Sequence, residues 1–362
     1  MLISGFVGPV LLGLPSGDAF DYDAAAADSS WKELPRHRDE DQVQLDVDRA
    51  FVYYPNHQNE AELARQKGEL SALIVEVLRR YPYLCYFQGY HDICQVLLLV
   101  LPHEMRAPAV ARLSALRIRD FMLPSLTPAI AQLRLIPDIL RQADPALWRH
   151  LSATEPFFAL SGTLTMYAHD ITTLGEISRL FDVLLAREPV FSVYMFAAIV
   201  RSRRAELFET PADEPEMLHS ILSKLPKPLD LESLIASART LFETYPPERL
   251  TAWRNGGTIS KASVLKTARE ADGCAAHQSM ADGRAFFDRQ VAELQWMERR
   301  DNVLKILRRY RRHPGTRATL GLAILVGVVA IVWRRPGSLS TTLSTGPLAH
   351  FFSSTPMARW FS

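Results

Sequence analysis

The stretch Tyr86-Phe87-Gln88-Gly89-Tyr90-His91-Asp92 joins two segments of helical texture. Before it, Glu62 to Arg80 runs without proline and ends at Tyr81-Pro82. After it, Gln95 to Leu101 is almost wholly apolar, as expected for a buried helix. A Gln-Gly step between two helices reads as a capping turn in which the glutamine presents its amide outward. The same texture continues downstream. Arg112 to Phe121 reads as a helix stopped by Pro124. Leu174, Ile177, Phe181 and Leu184 recur at three- and four-residue steps and form one apolar face. Leu231, Leu234, Ala238 and Leu241 repeat the spacing after Asp230, a good N-cap, and the run stops at Pro246-Pro247. No alternating strands, strand–helix–strand units or internal repeats interrupt this pattern, so the expected fold class is all-α.

Upstream lies Val43-Gln44-Leu45-Asp46-Val47-Asp48-Arg49. On a helix, Val43 and Val47 share the inward stripe, while Asp46 and Arg49 are three apart and face the same way. Alone, this is an ordinary surface ion pair. His91-Asp92 and His169-Asp170 read as structural polar groups at helix ends rather than catalytic dyads. No HExxH, GxxxxGK or GxGxxG is present, and no histidines pair at metal-ligand spacing.

The formal net charge of +1 over 362 residues gives no support to nucleic-acid binding, and 48% hydrophobic residues suit a sizeable core. Three cysteines cannot make a disulfide framework, and reduced thiols in the cytosol are expected. The apolar start Met1 to Phe6 lacks the basic residues of a signal peptide. The near-neutral total hides two parts. Residues 1–283 hold 28 Lys/Arg against 36 Asp/Glu, and residues 284–362 hold 13 against 4, a balance of −8 and one of +9.

Residues 14–41 read as an exposed loop with a charged patch at Arg36 to Asp41. Residues 251–284, with Gly256-Gly257, Gly273 and Gly283, read as a linker. Residues 285–315 read as a basic juxtamembrane helix. Ala318 to Trp333 is a run of 16 uncharged residues bounded by Arg317 and Arg334-Arg335. A bilayer core asks for about 20 apolar residues, with a lower bound near 17, and flanking arginines that snorkel can extend a short run. The segment is apolar all round, so residues 316–335 are expected to be a transmembrane anchor. The basic cluster 305–317 places the N-terminal part in the cytosol and against anionic headgroups, leaving 336–362 as a short lumenal tail.

Taken together, Val43-x-x-Asp46-x-x-Arg49 and Tyr86-x-Gln88-Gly89 resemble the IxxDxxR and YxQG signatures of the TBC domain, the catalytic module of Rab GTPase-activating proteins. The resemblance continues through Pro156 to Ser161, Tyr167-Ala168-His169-Asp170, Arg179 to Asp182 and Leu218 to Leu222, and is closest to the endoplasmic-reticulum branch that ends in a membrane segment. It implies a two-lobed helical TBC domain over residues 1–250. It implies Arg49 as an arginine finger and Gln88 as a glutamine finger, with Asp46, Tyr86, Gly89 and Asp92 supporting them. No cofactor or metal is implied for this chain, since GTP and Mg²⁺ belong to the Rab partner in its GTP state. The implied function is activation of an early-secretory Rab from the endoplasmic reticulum membrane.

Two departures from the family stand out. Phe6 to Gly13 lacks the usual Arg and Trp-Pro, which implies an incomplete first lobe. Gly162 and Met166 occupy positions where this branch tends to place tryptophans, which implies looser packing there. The altered N-terminus motivates the alternative of a catalytically impaired Rab-binding or membrane-scaffold protein.

Overall fold

Helix α1 (Glu40–Val47) buries Val43 and Val47 and leaves Gln44 and Leu45 outward. Helix α2 (Glu60–Arg80) starts where the Asn59 side chain accepts from the Glu62 amide at 2.8 Å. Acidic residues in its first turn and Arg79-Arg80 in its last oppose the helix dipole. Its core face, Leu70, Leu73, Ile74, Val77 and Leu78, keeps the three-and-four spacing. Helix α3 (Tyr90–Val100) is buried nearly all round, packed among α1, α2 and α4 (His103–Leu116). The helix expected over Arg112 to Phe121 is displaced. The Arg117 and Ile118 amides both donate to the Leu113 carbonyl, at 2.9 and 3.0 Å, which closes α4, and Arg119–Phe121 form a separate 3₁₀ turn.

The computed structural model describes residues 11–14, 29–55, 59–254, 258–270 and 275–311. The described residues form helices and turns without strands. Four short helices follow α4: α5 (Thr127–Leu133), α6 (Leu135–Ala143), α7 (Pro145–His150) and α8 (Leu160–Leu164). Helix α9 (Leu174–Ala186) buries Ile177, Leu180, Phe181 and Leu184. Helix α10 (Phe191–Ser202) is the centre of the second half, with Val193 to Val200 all buried. After α11 (Arg204–Glu209) and α12 (Pro215–Leu222), α13 (Leu231–Thr244) packs along α10. Asp230 caps α13 by accepting from the Ser233 amide at 3.1 Å, and Tyr194 on α10 donates to the Tyr245 carbonyl at its far end, at 2.6 Å.

The stretch 251–284, expected to be a linker, is packed against the core at its described residues. Trp253, Ile259, Ala262, Val264, Leu265 and Ala268 are buried, and α14 (Val264–Glu270) forms within it. A fully buried Arg119-Asp120 pair holds this stretch. Arg119 donates to the Ala262 carbonyl at 2.8 Å and the Thr267 hydroxyl at 3.3 Å, while Asp120 accepts from the Val264 amide at 3.0 Å and from the Ser263 hydroxyl. Burial pulls the Arg119 guanidinium down to about 10. Helix α15 (Met280–Arg311) continues the clamp. Gln290 accepts from Arg119 at 3.0 Å and donates to Asp120 at 2.8 Å. Gly283 lies where α15 crosses α4, and a β-carbon there would stand 3.1 Å from Ala115 Cβ and 3.1 Å from Leu116 Cδ2. Gly283, one of the glycines that suggest flexibility in the sequence, serves close packing, and Gly256, Gly257 and Gly273 lie outside the described residues.

The chain divides into a body, Met1–Gln295, and a second unit, Trp296–Ser362. Residues 285–295 of the expected juxtamembrane helix therefore belong to the body. The expected anchor, 316–335, and tail, 336–362, lie outside the described residues, as does Phe6 to Pro9. Among the described residues, no helix is long and apolar enough to cross a membrane. Leu12 and Leu14 are buried in the core cluster.

Candidate functional site

Helix α1 ends by returning three amides to its last turn: Asp48 to Gln44 O, Arg49 to Asp46 O and Ala50 to Val47 O, each at 3.0 Å. The loop that follows is fastened along its length. Lys67 Nζ donates to the Asp48 carbonyl at 2.6 Å, and Ala50, Phe51 and Tyr54 are buried. Arg49 is exposed between these anchors, and its side chain has no hydrogen-bond or ion-pair partner among the described residues. The expected Asp46–Arg49 ion pair is absent. The helix stops at Val47, so the facing geometry of residues three apart does not reach Arg49. Asp46, only 2% exposed, turns inward and accepts from Tyr86 OH at 2.9 Å and from Gln42 Nε2 at 2.9 Å. It meets Arg49 through its backbone carbonyl instead.

The Gln88 turn is built by the charged patch that the sequence suggests is free. The Asp39 carboxylate accepts from the Tyr86 amide at 2.9 Å. Buried His37 donates from Nε2 to the Leu84 carbonyl at 3.1 Å and accepts the Asp39 amide on Nδ1 at 3.2 Å. The Cys85 amide donates to Met122 O at 2.9 Å. Desolvation first, then the Asp46 charge, push the Tyr86 phenol far above its ordinary value, so it stays a donor to Asp46. Gly89 then turns with φ +97° into α3. Gln88 is exposed with no side-chain partner among the described residues, on the rim of an open pocket of about 440 Å³ shared with Arg38, Phe87, Phe121 and Leu126.

The two His-Asp pairs interlock. Asp92 accepts from His169 Nδ1 at 3.0 Å and lies 3.3 Å from His91 Nε2, while His91 Nδ1 stands 3.5 Å from Tyr86 OH. The Asp92 hydrogen bond raises the His169 pKa, against an opposing effect of burial. Near this network, Gly162 is tightly packed: a β-carbon there would meet Phe196 Cε2 at 3.2 Å. The looser packing expected at Gly162 is not found. No group of His, Cys, Asp and Glu among the described residues is placed to hold a metal ion.

Local sequence pattern does not single out Gln95, which binds the Arg49 loop, or His37 and Asp39, which hold the Gln88 turn. Only their polarity beside apolar neighbours hints at this. What the site offers solvent is a guanidinium and a carboxamide, both unpaired. Such groups donate to anionic oxygens, and the amide also accepts from water.

Residues 14–208 match the Rab-GTPase-TBC domain family. The chain belongs to this family. It is 35% identical over 263 residues to the GTPase-activating protein gyp10 of Schizosaccharomyces pombe, a match spanning 72% of this chain and 69% of that protein. It is 34% identical over 215 residues to TBC1 domain family member 20 of Homo sapiens, spanning 59% of this chain and 53% of the relative, about half its length. The crystal structure of the Ypt/Rab-GAP domain of Gyp1p shares the fold, with a TM-score of 0.55 at 18% identity over 67% of this chain and 88% of that one.

Proposed function

We propose that this chain accelerates GTP hydrolysis by a Rab GTPase of the early secretory pathway, with Arg49 and Gln88 supplied in trans. One observation carries the reading. Both side chains are exposed and unpaired among the described residues, and the Tyr86–Asp46 hydrogen bond ties the turn bearing one to the helix leading into the other. A GTPase alone hydrolyses GTP slowly because charge building on the phosphates is poorly compensated. An arginine supplied in trans is worth about 10³–10⁵ in rate. The Arg49 guanidinium is always charged and can fork onto phosphate oxygens. The Gln88 amide can accept from the attacking water while donating to the γ-phosphate. GTP and Mg²⁺ are carried by the Rab, and this chain's residues position and neutralise. Asp46, Tyr86 and Gly89 hold the two segments, and Asp92 braces α3 against His169. Residues 316–335 and the basic cluster 305–317 would hold the chain at the endoplasmic reticulum membrane, a reading supported by their uncharged run and flanking arginines.

The test is single-turnover hydrolysis by a panel of GTP-loaded Rabs, with the full chain in a mild detergent. At least one Rab should be accelerated. Arg49→Ala and Gln88→Ala should each remove most of the acceleration, with unchanged helical circular dichroism. Full activity in both variants would sink the two-finger mechanism.

A further inference from the structure

Gln95 lies on α3 among Ile93, Cys94, Val96, Leu97 and Leu98, and is itself 5% exposed. A carboxamide in such surroundings is costly unless both its ends are bonded. Here both ends are. Its Oε1 accepts from the Phe51 amide at 2.9 Å, and its Nε2 donates to the Tyr54 carbonyl at 3.2 Å. Both partners are backbone groups of the single loop that carries Arg49. Phe51, two residues after Arg49, has φ +63°, a left-handed conformation that bulky side chains rarely adopt. Such a conformation persists where surrounding structure over-determines it. The Gln95 bond to the amide of that same residue is one such determinant. The Tyr54 hydroxyl, which donates to the Ala168 carbonyl at 3.3 Å, is another.

We propose that Gln95 is the positioning residue that sets the spacing between Arg49 and Gln88. Helix α3 begins at Gly89, directly after Gln88, and Gln95 stands about 7.5 Å along its axis from Tyr90. One rigid element thus starts at one of the two exposed side chains and grips the backbone just beyond the other. Asp46, bound to Tyr86, fixes the chain before Arg49, and Gln95 fixes it after. This inference rests on the Rab-activating reading for its kinetic consequence, but its structural half stands without it.

The experiment pairs kinetics with amide hydrogen exchange on the full chain in neutral detergent. Gln95→Leu keeps the shape and removes both bonds. The Phe51 amide should exchange about tenfold faster or more, while amides in the middle of α2 stay unchanged. At saturating GTP-loaded Rab, the maximal rate should fall about tenfold or more, with half-saturation changed less than about twofold. In an Arg49→Ala background, Gln95→Leu should cost nothing further, because the group being positioned is gone. An unchanged rate, or an equal loss in both backgrounds, would overturn the proposal, the latter marking a general weakening of the fold. If wild type accelerates no Rab, the Rab reading fails, and unchanged exchange at Phe51 then overturns the positioning role on its own. Should the leucine variant not fold, Gln95→Met, which is close in length and lacks both the acceptor for Phe51 and the donor to Tyr54, carries the same comparisons.

Discussion

At Gly89 the backbone turns with φ +97°, and a β-carbon built there would stand 2.6 Å from Thr165 Cγ2. These are separate costs, one of conformation and one of contact. Gly89→Ala should destabilise the chain by about 1–3 kcal/mol, read from the urea midpoint. Adding Thr165→Ser removes Cγ2 but keeps a hydroxyl for the Ser161 carbonyl, now 2.9 Å from Thr165 Oγ1. The double variant should regain part of the loss, and no recovery would place the whole cost in φ. At this scale the sequence is informative where the pattern is local. Arg49 with Asp46, and Gln88 with Tyr86 and Gly89, stand within a few residues of each other. Gln95, His37 and Asp39 escape notice because their partners lie 41 to 47 residues away. Hydropathy reads Gln95 as part of an apolar run. The Asp46–Arg49 pairing fails for a related reason, since spacing cannot tell that a helix stops between two residues.

At the scale of elements, the helices with strong three-and-four periodicity, α9 and α13, stand near where the sequence puts them. The stretch before α15 does not, because glycine and small residues look alike whether they loosen a chain or let two helices touch. Gly283 is of the second kind. Gln290, 1% exposed, satisfies a buried cation and a buried carboxylate at once. Gln290→Leu should cost about 2–4 kcal/mol, because both charges lose a partner in a site closed to water. Denaturant melts followed by circular dichroism would measure this. A loss near zero would mean that the other partners, Ala115, Gln132, Ala262, Ser263, Val264 and Thr267, suffice for the cluster.

Over the whole molecule, the change from acidic to basic composition at residue 284 does not coincide with the boundary of the folded body at Gln295. Some of the basic excess is used inside the body. Arg284 lies 4.4 Å over the Tyr83 ring and pairs with Asp288 at 2.9 Å. The acid–base pairs that join distant segments also make stability depend on pH. His169, raised above its ordinary 6.5 by Asp92, contributes stability that is fully present below that value and lost as pH rises through its folded-state pKa. His169→Asn should therefore flatten the decline in thermal midpoint above about pH 6.5. The effect should be modest, because the His169 side chain is 61% exposed. An unaltered slope would remove the pair from the account.

The Arg119–Asp120 cluster has a consequence for how the chain is inherited and turned over in the cell. A product ending near Leu250 would still contain every residue that the signatures single out. It would nevertheless carry two buried charges stripped of Ala262, Ser263, Val264, Thr267 and Gln290. Early termination or trimming in this stretch should therefore lower the steady-state level of the product, because a chain that unfolds more readily is cleared faster.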